Sequence, residues 1–126
     1  MDTQLIIFIC IQVHVFLFWL SVVIYREIKR EDVMVLRKKT FFGRNGWGLA
    51  HFIHYFVLGY HCPDYWKLAL VIGILFEAIE YPLSKISKYI DSNPIQDTIT
   101  NSAGLAAGVA FHYYTTFCVE IVRHIL

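Results

Sequence analysis

From Leu5 to Tyr25 the chain runs for 21 residues without an Asp, Glu, Lys or Arg. At 1.5 Å per residue a helix of that length covers about 30 Å, the thickness of a bilayer's hydrocarbon core. Its moderately polar members are Gln12, His14 and Ser21. The run is longer than the apolar stretch of a signal peptide. Met1-Asp2-Thr3 lacks a positive start, and Tyr25-Arg26-Glu27 is no small-residue cleavage site. The segment therefore reads as a retained anchor.

The rest of the chain continues the theme. Of its 126 residues 57% are hydrophobic and 17% aromatic, and the mean hydropathy is +0.52. A soluble domain this small buries only a modest share of its surface, so it cannot hide that much apolar area. Lipid can cover it. The expected fold is all-α: a single polytopic membrane domain over residues 1–126 with about four transmembrane helices. The spans are expected at 5–25, roughly 47–60, 66–83 and from Asp97 to about Cys118, the last running on as helix towards the end. Gly43-Arg44-Asn45-Gly46, His61-Cys62-Pro63-Asp64 and Asn93-Pro94 supply the turn signals between them.

Charge sets the expected orientation. The connector 26–46 carries seven Lys/Arg (Arg26, Lys29, Arg30, Arg37, Lys38, Lys39 and Arg44), and the loop 84–96 adds Lys85 and Lys88. The remaining two, Lys67 and Arg123, fall on the other side. The positive-inside rule then puts both connectors in the cytoplasm and both termini on the non-cytoplasmic side. A basic segment beside a span is a topogenic signal that touches anionic headgroups, and no nucleic-acid partner is needed to explain it. The three cysteines, Cys10, Cys62 and Cys118, lack metal or disulfide spacing and read as ordinary thiols. His14, His61, His112 and His124 read as interfacial or locally satisfied. Trp47, Tyr60, Tyr65, Trp66, Tyr81 and Tyr89 suit interfacial aromatic belts.

Ionisable residues inside a membrane are costly, and are functional candidates for that reason. Here they come in pairs at helical spacing: His51 with His54, Glu77 with Glu80, Asp97 with Asn101. Members three or four residues apart share a helix face. With alternating spans, all three pairs meet the cytoplasmic boundary at one depth. Glu77, Glu80, Asp97 and Asn101 would make an oxygen-rich cavity suited to a hard divalent cation, calcium or manganese, with Asp91 at its rim. Such an ion relieves carboxylate repulsion and polarises a phosphoryl oxygen, and His51 beside it can move a proton. His54 and Asn101 are the expected substrate contacts. Gly104 and Gly108 extend the Asp97–Asn101 stripe, with Ala103, Ala106 and Ala107 beside it, and let helices approach closely.

Two resemblances enter on these residues. His51-Phe52-x2-Tyr55-Phe56-x-Leu58-Gly59 and the Asp97–Gly108 stretch resemble the two signature segments of the VanZ-like family of small membrane proteins. Ala50-His51-Phe52, Phe76-Glu77-x2-Glu80 and Asp97-x3-Asn101-x2-Gly104 are similar to the core of base-exchange phosphatidylserine synthases. Both cover roughly residues 45 to 110. The second implies calcium-dependent headgroup exchange on a phospholipid, with His51, Glu77 and Glu80 catalytic and Glu77, Glu80 and Asp97 near the metal. The chain departs from it in length and in its 84–96 loop, where Asp91 is the only acid. The leading expectation is a metal-dependent phospholipid headgroup transferase whose partners are membrane lipids. Its rivals are a non-catalytic scaffold, acting as a homo-oligomer or as a subunit of a larger membrane complex, and a haem or quinone redox subunit using His54 and His112.

Overall fold

The computed structural model describes residues 2–30, 40–41, 44–88, 90 and 92–126. The expectations for Arg37, Lys38, Lys39, Tyr89 and Asp91 lie outside the described residues. Among the described residues there are four α-helices: α1 (Thr3–Lys29), α2 (Gly46–His61), α3 (Trp66–Ile86) and α4 (Pro94–Ile125). A 3₁₀ turn, Pro63–Tyr65, joins α2 to α3. Ahead of α2, two residue pairs form a minimal hairpin, β1 (Thr40–Phe41) against β2 (Arg44–Asn45). The all-α expectation holds.

The helix ends follow local chemistry. Asp2 caps α1, its side chain accepting from the Gln4 amide at 3.1 Å. No breaker follows Tyr25, so α1 takes in Arg26 and Lys29, two residues expected in the connector, and their charges suit the dipole of its last turn. It stops at Arg30, whose φ of 57° is a left-handed cap. Asn93 caps α4 with Pro94 at its first position, so α4 starts three residues before Asp97 and runs on to Ile125.

Among the described residues only α1 and α4, at 27 and 32 residues, are long and apolar enough to cross a membrane by themselves. Helix α2 has 16 residues, about 24 Å. Every 18-residue stretch of α3 carries three of Lys67, Glu77, Glu80 and Lys85. The polar pairs that mark the candidate site are what lower α3 as a span.

Helices α2 and α4 run parallel and nearly touch backbone to backbone. A Cβ on Gly104 would strike the Phe52 carbonyl, and one on Gly108 the Phe56 carbonyl and, at 2.9 Å, the Tyr60 amide. From the α2 side, a Cβ on Gly59 would overlap the Leu105 carbonyl and come within 2.9 Å of the Val109 amide. The buried positions of α4 are Asp97, Asn101, Gly104, Leu105 and Gly108, one helix face. Leu105 belongs to the same contact. Though it lies about 100° around the helix from Gly104, it is buried, because Gly59 lets α2 approach that flank too.

Helices α1 and α3 run together in the opposite direction. At their starting end Tyr65 Oη donates to Asp2 Oδ2 at 2.9 Å and Gln4 Nε2 to Asp64 Oδ2 at 2.9 Å. Gln4 Oε1 accepts from the Asp64 amide, and the Cys62 thiol leans on the Gln4 carbonyl. Burial and the neighbouring Asp2 push the Cys62 thiol up from its ordinary range. The hydrogen bond to Asp2 does the same to the Tyr65 phenol. The apolar core of Phe8, Tyr55, Leu58, Cys62, Ala69 and Leu105 extends from beside this latch. At the opposite end Ser87 donates to Glu27 and the Arg26 guanidinium lies 5.6 Å from the Trp47 ring. Gln4→Ala removes the two bonds that the Gln4 side chain makes to Asp64 and leaves the Tyr65–Asp2 bond in place. It should lower the unfolding free energy in detergent by about 1 kcal/mol, since net hydrogen-bond contributions are of that size. Thermal melts of the two proteins check it.

Candidate functional site

Between α1 and the other helices lies a cavity of about 370 Å³. Its walls are apolar and aromatic, among them Phe16, Trp19, Trp47, Tyr55, Ile72 and Phe76. Its polar members are Gln12, His51, His54, Glu77 and Asn101. A smaller cavity adjoins it, sharing Trp19, Trp47 and His51 and adding Arg26 and Glu80. Four of the sequence-predicted residues, His51, His54, Glu77 and Asn101, thus meet at one cavity, and Glu80 sits beside it.

Each polar side chain has a structural reason for its place. His51 Nδ1 and Asn101 Oδ1 are 3.0 Å apart across the α2–α4 contact. An amide oxygen only accepts, so Nδ1 carries the proton, and in the neutral ring Nε2 keeps its lone pair. Asn101 can do this because Gly104, one turn on, brings the backbones together. Glu80 Oε1 accepts from Trp19 Nε1 at 3.0 Å, which ties α3 to α1. Glu77 stands apart. It is 3% exposed, and neither carboxylate oxygen has a hydrogen-bond partner among the described residues. His54 Nε2 and Trp47 Nε1 are buried and likewise unpartnered there. Tyr55 crosses from α2 to α3, where its hydroxyl packs on Gly73, one turn before Glu77.

Asp97 plays a different part. Its Oδ2 accepts from the Asn93 amide at 3.1 Å while Asn93 Oδ1 accepts from the Gln96 amide at 3.3 Å, a reciprocal cap at the start of α4. It is buried, but it lines neither cavity. Among the described residues, no three His, Cys, Asp or Glu side chains converge as a preformed metal cage. His112 donates from Nδ1 to the Tyr60 carbonyl at 2.7 Å, and His14 lies against the Cys10 carbonyl at 2.7 Å. His112 does not line the cavity that holds His54.

The wall contributed by α1 was missed in the sequence. Gln12, Trp19 and Arg26 are spaced by seven residues, two helical turns each, and so share one face of α1. That spacing was legible; treating α1 as a simple anchor hid it. Comparison with known protein families, curated proteins and solved structures finds no match to this chain.

Proposed function

We propose that this chain is a multi-pass integral membrane protein that receives an amphipathic lipid in the large cavity and acts on its headgroup by exchange or phosphatidyl transfer. The observation that carries the reading is the cavity itself: apolar, aromatic walls with His51, His54, Glu77 and Asn101 gathered in one place. Phe16, Leu17 and Phe18 both line it and reach the outer surface, so its mouth is apolar and suits an acyl chain.

Membrane embedding has its own support. The most apolar stretches of α1 and α4 are only 6% and 11% buried, whereas the core helix of a soluble protein is mostly covered. Ser21, Thr100, Ser102 and Thr116 each donate back to the carbonyl four residues earlier, so these hydroxyls are satisfied within their own helices, as a bilayer requires. Helices α2 and α3 complete a four-span bundle in this reading, their polar pairs turned to the interior. The end where Glu27 meets Ser87 holds Arg26, Lys29, Lys85 and Lys88, and faces the cytoplasm by the positive-inside rule. Single cysteines placed at Lys29 and Lys85 should be protected from a membrane-impermeant maleimide in intact cells, and a cysteine at Lys67 should be modified. The reverse pattern would invert the orientation.

The chemistry follows from His51. Its Nε2 accepts the proton of an incoming alcohol as that oxygen bonds to phosphorus. The bond from phosphorus to the departing headgroup oxygen then breaks, and the imidazolium returns the proton to it. Bonds and charge balance, with one alcohol exchanged for another. Of the expected cation ligands, Glu77, Glu80 and Asn101 border the cavities and would hold a divalent cation that supplies Lewis-acid polarisation, while Asp97 is held as the α4 cap. The test is incorporation of labelled serine or ethanolamine into phospholipid by proteoliposomes, with and without calcium or manganese. Incorporation that His51→Ala abolishes supports the reading. Its absence from the wild type under all conditions would refute it.

A further inference from the structure

We infer that Trp47 is a second catalytic residue: its indole N–H donates to a non-bridging oxygen of the phosphate that His51 serves, where the two cavities meet. This rests on the headgroup-exchange reading above and deepens it. Trp47 and His51 stand four residues apart on α2 and so share a helix face. Both line the large cavity and the smaller one. A tryptophan of an interfacial belt keeps its N–H in the wet headgroup layer. Trp47 Nε1 is instead buried, with no acceptor among the described residues. A buried carboxyl can take up a proton and become neutral. An indole N–H has no such way out: it is a donor only, and nothing but an acceptor atom satisfies it. The surroundings favour an anionic acceptor. Trp47 lies in the first turn of α2, the positive end of that helix's dipole. The Arg26 guanidinium is 5.6 Å from the indole ring and lines the smaller cavity as well. Glu80 borders that cavity too, but its Oε1 accepts from Trp19 rather than from Trp47. As the incoming oxygen bonds to phosphorus, negative charge gathers on the non-bridging oxygens. A fixed donor in a site poor in water stabilises that state more than the ground state. His51 moves the proton, and Trp47 holds the charge.

The test follows the indole N–H protons of the purified protein by NMR in a non-ionic detergent. The chain has three tryptophans, so Trp19→Phe and Trp66→Phe assign the Trp47 signal by elimination. The probes are dihexanoylphosphatidylglycerol and dihexanoylglycerol, which share their acyl chains and differ in the phosphate headgroup. The phospholipid should move the Trp47 proton downfield, and dihexanoylglycerol should leave it in place. The Trp19 proton, held by Glu80, should stay put with both. Thermal midpoints under the same lipids report whether either one binds. Binding of the phospholipid without movement of the Trp47 signal would overturn the phosphate contact and leave the lipid reading standing, as a water then meets the N–H. Equal movement with both lipids would do the same, since the glycerol or its chains then meet it. No binding of the phospholipid would overturn both. The wild-type signals need no Trp47 variant, so a folding defect in Trp47→Phe cannot mask the result. In the exchange assay Trp47→Phe keeps a ring beside Arg26 and drops the donor. It should lower kcat on the order of 10²-fold, as loss of one oxyanion donor does, with KM little changed. An unchanged kcat would overturn the catalytic role.

Discussion

Gly108→Leu should leave no stably folded protein, and Gly108→Ala should lower the unfolding free energy by about 2 kcal/mol, within the range for overpacking a tight contact. The cause is the closeness of α2 and α4. A single added carbon at Gly108 meets the Phe56 carbonyl and the Tyr60 amide, which are backbone atoms and cannot swing aside. Relief requires the two helices to separate. That separation also pulls His51 from Asn101, two turns away on the same contact. Ala106→Leu is the control: the position is exposed, and the change should stay within about 0.5 kcal/mol. Thermal melts of the three variants in detergent measure the difference. Comparable losses for Gly108→Ala and Ala106→Leu would show that this face does not hold the helices together.

The largest effect on turnover should come from His51→Ala, a fall of about 10²–10⁴ in headgroup exchange, the usual worth of a positioned acid–base group. Asn101 acts through His51, holding the proton on Nδ1 and the lone pair on Nε2. Asn101→Ala should therefore cost less, on the order of 10-fold, because the ring remains but samples both tautomers and other rotamers. Asn101→Asp retains an acceptor oxygen at the same place and should restore most of the rate. Loss of rate in Asn101→Asp equal to that in Asn101→Ala would mean that Asn101 serves packing rather than the histidine. Initial rates of label incorporation, normalised to folded protein, decide between them.

Much of this arrangement was legible because membrane helices are written in long apolar runs interrupted where polar groups are needed. The spacing of His51 and His54, Glu77 and Glu80, and Asp97 and Asn101 marked the helix faces, and the small residues Gly104 and Gly108 marked the contact between α2 and α4. What could not be read were choices made between neighbours. Asp97 has the same residue type and depth as a ligand, but its oxygen serves the Asn93 amide, since a helix N-terminus presents unpaired donors to any nearby carboxylate. Leu105 turned inward because a glycine on another helix, Gly59, made room beside it. Trp19 and Arg26 entered the site because α1 leans over the other helices, a tertiary fact that periodicity within α1 only hinted at.

The central claim is that the cavity holds a lipid, and the most direct measurement is native mass spectrometry of the protein released from a mild detergent. Wild type should retain one lipid molecule per chain. Ala50 lines the cavity, and Ala50→Phe places a ring there, so this variant should lose the lipid while its melting temperature without added lipid changes little. Wild-type protein that carries no more lipid than Ala50→Phe would contradict the account.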